Sequence, residues 1–334
     1  MRAIEIKEWT APEHLRSSEV ARPVCGPGQV LIRVHAAAVS HALSLLVQGR
    51  YQRKPALPFV PGNTAAGTVA EVGAGVSRWA VGDRVLASLE QGALAEYAVA
   101  HENNVYAIVD GMDYATATTL NTSYNSVAAA LTWPHLLNVQ AGQSLLVTGA
   151  AGGVGTAATQ IGRLLGATVI AAASTDAKRA HALQQGAHHA VNAGPDALPG
   201  MVATVKALTN GEGVHAALEP VGGAVFDTAL RCVAPGGRIL PIGFAGGSIP
   251  QIAANLLLVK NVTVCGLYMG YYKIDARDRY ADTMRALFAQ LGMWWAQGLI
   301  APVIAARLPL DRVVDAFALV LDRAQTGHVV LTLD

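Results

Sequence analysis

Two stretches of this chain carry residues whose types and spacing could do chemistry. The first is LLVTGAAGGVGTAATQIGRLLG, residues 145–166. A short apolar run precedes its glycines and a helical pattern follows them, which is the context in which such a turn binds phosphate. Gly152 would let a pyrophosphate approach the backbone, and Gly155 would let the helix pack close on the strand. The free N–H groups and positive dipole end of the helix N-terminus would face the anion. The candidate cradle is therefore Ala151, Gly152, Gly153, Val154 and Gly155, with Ala150 standing where G-x-G-x-x-G has its first glycine. A glycine-rich turn with no ligand is the alternative.

The next apolar run, TVIAAAS, ends at Ser174. An acidic residue about 20 positions past the glycines would hold the ribose 2′-OH of NAD. Ser174 stands there instead, with Lys178 and Arg179 following. A small hydroxyl beside two cations suits the 2′-phosphate of NADP(H). Asp176 argues the other way but lies two residues past the strand end, and the two cations also suit a solvated helix face.

The second stretch is VQGRYQRKPALPFVPGN, residues 47–63. Tyr51 sits there beside basic residues. It is either an exposed loop tyrosine or a proton donor over a reaction centre, and the stretch alone leaves both open.

The elements that must position these residues fall into two rhythms. Up to about residue 110 the pattern predicts short strands, at 29–39, 67–73, 82–87 and 92–100. From Gln143 strands alternate with helical patterns: SLLVTGA, TVIAAAS, HHAVN, VHAALEPVG, RILPIGF and NVTVCGLYM are the strands. The helix before RILPIGF is expected to run over GAVFDTALRCVAPGG. Such alternation points to βαβ units in a doubly wound parallel sheet, so the fold class is α/β. A last helix, DTMRALFAQLGMWWAQG, and a strand, HVVLTLD, follow the sheet, and their position suggests a return to the first domain.

Composition excludes several classes. The 334 residues carry a formal net charge of +1, with 52% hydrophobic and 14% charged residues. That balance gives no electrostatic case for nucleic acid or an anionic membrane. Cys25, Cys232 and Cys265 make neither a metal-ligand spacing nor an even disulfide framework, so a reducing cytoplasm is expected. The longest segment without Asp, Glu, Lys or Arg, 114–162, is broken by polar residues, proline and glycines and is no membrane span.

With these residues in place, the chain resembles the medium-chain dehydrogenase/reductase superfamily, in its zinc-free quinone oxidoreductase (zeta-crystallin-like) and enoyl reductase branch. GQSLLVTGAAGGVGTAATQIGR (142–163), PFVPGNTAAGTVAEVGAGVSRWAVGDRV (58–85), APGGRILPIG (234–243), NLLLVKNVTVCGLYMG (255–270) and the ending TGHVVL (326–331) carry the resemblance. It implies a GroES-like β-rich catalytic domain from 1–120 and 267–334, around a Rossmann NADP-binding domain at 121–266. It also implies that Ser126 lies near the nicotinamide. GFAG (243–246) and LYMG (267–270) would supply further contacts there, through Gly243, Phe244, Ala245, Tyr268 and Met269. A homodimer paired through the sixth Rossmann strand is implied too.

Zinc alcohol dehydrogenases of the superfamily have a ligand cysteine where this chain has Ser40 and a ligand histidine where it has Asn63. Their four-cysteine structural loop is missing. Zinc needs Cys, His or carboxylate ligands, so no metal is expected, and Ser40 is counted with the cofactor-facing residues. Without a Lewis acid, hydride addition to an already electrophilic double bond is the better chemistry. QGRYQRKPALPFVPGN is similar to enoyl thioester reductases, in which the tyrosine is the proton donor; carried over, it is Tyr51. Thr64 stands where those enzymes have Glu, Ser40 and Leu43 where quinone oxidoreductases usually have Asn and Asp, and Ala193 where they often have Tyr. The expected activity is NADPH-dependent reduction of an activated C=C bond (an enone or enoyl ester or thioester) or a quinone. A quinone reductase with no protein proton donor, and a non-catalytic NADPH-binding redox sensor, are the alternatives.

Overall fold

The computed structural model describes residues 1–322 and 324–333. The chain divides into two compact units. One is Met1–Asn125 with Tyr268–Gln297 and Pro302–Asp334; the other is Ser126–Leu267 with Gly298–Ala301.

The first unit is built on the long strand Gln29–Val39, which buries eight of its eleven residues and exposes Arg33. Thr64–Val72, Tyr97–His101 and His328–Thr332 all pair with it antiparallel. Arg84–Ser88 and Val105–Ala107 extend one side of the sheet and Ile304–Pro309 the other. The late strand therefore does return to the first unit: Val330 pairs with Ala38. Val30, Ile32 and Val34 share one core with Phe59, Phe317 and Val329. The strand expected at 92–100 begins only at Tyr97. Ahead of it the Ala93 and Leu94 N–H groups donate to the Gly62 and Pro61 carbonyls, so that part of the backbone is spent on a loop.

Two π turns interrupt the helical parts of this unit. Leu120–Tyr124 follows the helix Tyr114–Thr119, and Tyr271–Asp275 precedes the 20-residue helix Arg277–Ala296. Such turns are rare and gather at functional sites.

The second unit is a six-stranded parallel sheet. Its spatial order is His189–Asn192, Thr168–Ala173, Ser144–Thr148, Val214–Glu219, Val233–Pro241 and Thr263–Val264. All five residues of Ser144–Thr148 are buried, as a central parallel strand requires. Two expectations are corrected. The helix Gly223–Cys232 stops five residues early, because Pro235 cannot continue it and Val233 already pairs with Val214. The sixth strand is two residues, Thr263–Val264, instead of the nine of NVTVCGLYM; it has one neighbour, and Gly266 follows closely.

Candidate functional site

In the parallel sheet the strand order reverses between Ser144–Thr148 and Val214–Glu219. Ligands of open α/β sheets bind at the carboxyl ends of strands at such a switch point. The glycine turn lies there. Gly149 holds φ +55°, and a side chain on it would meet Val221 and Pro220 at 3.1 and 3.2 Å. Gly149, and not the residue at the first pattern position, makes the tight turn, so Ala150 costs nothing there. A Cβ on Gly155 would sit 2.3 Å from the Gly149 carbonyl oxygen, so only glycine lets the helix Gly153–Leu164 start this close to the turn. Gly152 is the N-cap of that helix and is exposed. A Cβ there would meet only the Gly149 oxygen, at 3.6 Å. Open space over a helix N-terminus is what a pyrophosphate needs.

Across the switch point, Glu219 is fully buried at the end of its strand. Its Oε1 accepts from the Thr148 hydroxyl at 2.9 Å and from the Val221 N–H at 2.8 Å, and its Oε2 accepts from the Gly222 N–H at 2.8 Å. Burial raises its pKa, against the lowering by those hydrogen bonds. The carboxyl group thus shapes the turn that packs on Gly149. Sequence reasoning passed over it as one residue of a strand.

The next loop completes this rim. The Ala245 and Gly246 N–H groups donate to the Pro220 and Val221 carbonyls at 3.0 and 2.8 Å. Gly243, Phe244 and Ala245 are therefore held against the turn after Glu219.

At the end of Thr168–Ala173, Ser174 is exposed. Thr175 caps the helix Asp176–Gln184, accepting from the Lys178 N–H at 3.3 Å. Arg179 donates to the Ala173 carbonyl at 3.2 Å and pairs with Asp176. The Asp176 side chain is 99% exposed and turned to Arg179, so it is not the strand-end acid that a ribose diol needs. Ser174, Lys178 and Arg179 thus lie together beside the strand end. Ser126 sits half-buried on the first turn of the helix Asn125–Thr132.

The remaining candidates belong to the β-rich unit. Tyr51 is half-buried; burial, then the neighbouring Tyr268, raises its phenol pKa, so it stays protonated at neutral pH. Two residues on, Arg53 donates to Asp275 at 2.7 Å, faces Glu90 at 3.9 Å and lies near the Tyr268 phenol. Tyr272 packs edge to face on Tyr271 and on Tyr280, which meet each other at a tilt. Met269 is buried.

Inside the same turn, Lys273 is 9% exposed. Its Nζ donates to Asn121 Oδ1 at 2.9 Å, and burial lowers its pKa to about 7. Neither residue was singled out from sequence, where Asn121 served only to break an apolar run. A lysine among tyrosines carries no signal of its burial.

Ser40 is the N-cap of the helix His41–Val47, its Oγ accepting from the Leu43 N–H at 3.2 Å. Asn63 is exposed. Zinc does not fit these residues, and among the described residues no group of three or more His, Cys, Asp or Glu could hold a metal ion. The three cysteines are free. No helix among the described residues is long and apolar enough to cross a membrane.

Comparison with known proteins agrees with this geometry. The alcohol dehydrogenase GroES-like domain model matches residues 26–110, and the zinc-binding dehydrogenase model matches residues 153–289. Quinone oxidoreductase-like protein 2 of Rattus norvegicus is 38% identical over 320 residues, 96% of this chain and 89% of that one. Quinone oxidoreductase of Homo sapiens is 32% identical over 336 residues, 100% of this chain and 98% of that one. A mycobacterial protein solved in complex with NADPH superposes with a TM-score of 0.92 at 29% identity, covering 100% of both chains. The chain belongs to the medium-chain dehydrogenase/reductase family, in its quinone oxidoreductase branch. It has that family's GroES-like unit and Rossmann-type parallel sheet.

Proposed function

We propose that this protein is an NADPH-dependent, metal-independent reductase of activated C=C bonds in conjugated carbonyl compounds, with quinones as the second acceptor class. The observation that carries the reading is the glycine turn at the switch point, with Ser174, Lys178 and Arg179 in place of a strand-end acid. The NADPH seen with the mycobacterial relative supports it. The N–H groups of Ala151, Gly153, Val154 and Gly155 hold the pyrophosphate, with Gly152 leaving room for it while its own N–H donates to the Gly149 carbonyl, and Ser174, Lys178 and Arg179 hold the 2′-phosphate. The family resemblance assigns Gly243, Phe244, Ala245, Ser40, Ser126, Tyr268 and Met269 to the nicotinamide end. Bound NADPH supplies the hydride.

Hydride arriving at the β-carbon pushes an electron pair onto the carbonyl oxygen, and the α-carbon or that oxygen then takes a proton. Tyr51, kept protonated by its surroundings, donates it. In a quinone the same push gives a stabilised hydroquinone anion that water can protonate, so this reaction leans less on Tyr51.

A homodimer is part of the proposal. The edge strand Thr263–Val264 has one neighbour, and Leu258 and Val259 just before it are 78% and 68% exposed. Light scattering on the purified protein checks it; a monomer contradicts it. The cofactor assignment is tested by fluorescence titration with NADPH and NADH. Tighter binding of NADPH by tenfold or more supports the reading, and equal or tighter NADH binding refutes it.

A further inference from the structure

A protonated lysine donates hydrogen bonds and accepts none. That property gives direction to a buried network in the β-rich unit. Asn121 Oδ1 receives both Lys273 Nζ, at 2.9 Å, and Asn125 Nδ2, at 3.2 Å. The orientation of the Asn121 amide follows from those two donors. Its Nδ2 then donates to Thr64 Oγ1 at 2.7 Å and to the Asn63 carbonyl at 3.3 Å. Thr64 has one hydroxyl proton, and it points at Asn63 Oδ1, 3.2 Å away. The chain of donors runs one way and ends on the exposed Asn63. There Nδ2 makes no hydrogen bond among the described residues, and the residue is exposed.

The turn that holds Lys273 also holds the other end of the same segment. Asp275 binds Arg53 at 2.7 Å, two residues after Tyr51. Tyr271–Asp275 therefore ties down both ends of the segment 51–63: one through Arg53, the other through Asn121 and Asn63.

We propose that Asn63 Nδ2 is the hydrogen-bond donor to the carbonyl oxygen of the substrate, and that Lys273 is the positioning residue that aims it through Asn121 and Thr64. This rests on the reading of the protein as a reductase of conjugated carbonyl compounds. When hydride adds to the β-carbon, the C=C electron pair moves and the carbonyl oxygen becomes an oxyanion. A preorganised N–H there lowers the barrier, and loss of one such donor typically costs about 10²–10³ in kcat. The proton that completes the reaction comes from Tyr51, as proposed above.

Lys273 gives this arrangement a pH signature. The groups that face it, Asn121 with Asn125 and Thr64 behind, are uncharged; Asp275 of its own turn is engaged by Arg53; burial alone lowers its pKa, to about 7. Above that pH the amine keeps N–H donors but loses its charge, so its bond to Asn121 Oδ1 weakens and Asn63 is aimed less firmly.

The test uses Asn63→Asp and Lys273→Met in the full chain, with an enone as acceptor. Asn63→Asp keeps the bond from Thr64, removes the unpartnered donors and puts a carboxylate in their place. It should lower kcat about 100-fold with little change in KM and no change in NADPH affinity measured by fluorescence titration. Lys273→Met should lower kcat about tenfold at pH 6.5, and should abolish the fall in kcat that the wild type shows as pH rises through about 7. Asn63→Asp within threefold of wild type, or a Lys273→Met pH profile matching wild type, overturns the inference. If Lys273→Met does not fold, Asn63→Asp decides alone. A wild type that binds NADPH but reduces no carbonyl-conjugated acceptor refutes the underlying reading instead, which keeps the two failures apart.

Discussion

The Thr148 hydroxyl donates to the buried Glu219 carboxyl group at 2.9 Å, linking the ends of the two strands that flank the switch point. Glu219 accepts three hydrogen bonds in all. In Glu219→Gln an NH₂ group replaces one oxygen, and one donor is left facing another. The expected loss is about 1–3 kcal/mol, read by urea unfolding. NADPH should also bind more weakly, because the turn after Glu219 packs on Gly149. The pH dependence has a definite sign. Glu219 has a raised pKa in the fold, so its contribution is complete below the ordinary glutamate value and is lost as pH rises through the raised one. The Gln variant should lack that slope.

The glycines of the turn separate packing from ligand binding. Gly155→Ala puts a methyl group 2.3 Å from the Gly149 oxygen and should disrupt the turn itself, lowering both the unfolding midpoint and NADPH affinity. Gly152→Ala, with 3.6 Å of room and an ordinary φ of −78°, should leave stability within about 0.5 kcal/mol. Its cost should appear only in NADPH affinity. Equal thermal loss in both variants would show that Gly152 serves packing and not the cofactor.

Lys178→Ala tests the 2′-phosphate site most cleanly, since Arg179 also supports the Ala173 carbonyl. One charge-assisted hydrogen bond is worth about 1.5–3 kcal/mol. NADPH affinity should fall roughly 10–100-fold, with NADH affinity unchanged. A parallel loss for both cofactors contradicts the assignment.

His328 makes the β-rich unit sensitive to acid. Its Nδ1 faces the Val303 carbonyl at 3.1 Å, so Nδ1 carries the proton and Nε2 accepts from Ser123 at 2.9 Å. Burial lowers its pKa from 6.5 to about 4, with the Val303 bond opposing. A histidine that folds neutral is at no disadvantage above 6.5, and its cost grows as pH falls from 6.5 to 4. The loss should reach roughly 3 kcal/mol and then level off. Unfolding curves from pH 7 to pH 4 check this, with His328→Gln expected to flatten the decline.

The glycine turn was legible because its demands are local: close approach at Gly155, a strand before it and a helix after it. The buried parallel strands were legible for a similar reason, since burial on both faces writes itself into consecutive apolar residues. Glu219 and Lys273 were not. Thr148 lies 71 residues from Glu219 and Asn121 152 residues from Lys273, and nothing next to them in sequence announces that a carboxyl group and an amine will be buried. The sixth strand was drawn too long because NVTVCGLYM has strand-like residues, but in this chain only Thr263 and Val264 find a neighbour to pair with. The role of Gly149 was also missed, since the G-x-G-x-x-G spacing points to Ala150, one residue later.

The central claim is tested most directly by NADPH consumption, followed by absorbance, with an enone, a trans-2-enoyl thioester and a quinone, on wild type and Tyr51→Phe. The account predicts turnover of an alkene acceptor by the wild type and a loss of tenfold or more in Tyr51→Phe, about 1.4 kcal/mol of barrier, with quinone reduction less affected. Reduction of quinone alone, at the same rate in both proteins, contradicts it and leaves Tyr51 as a wall of the pocket.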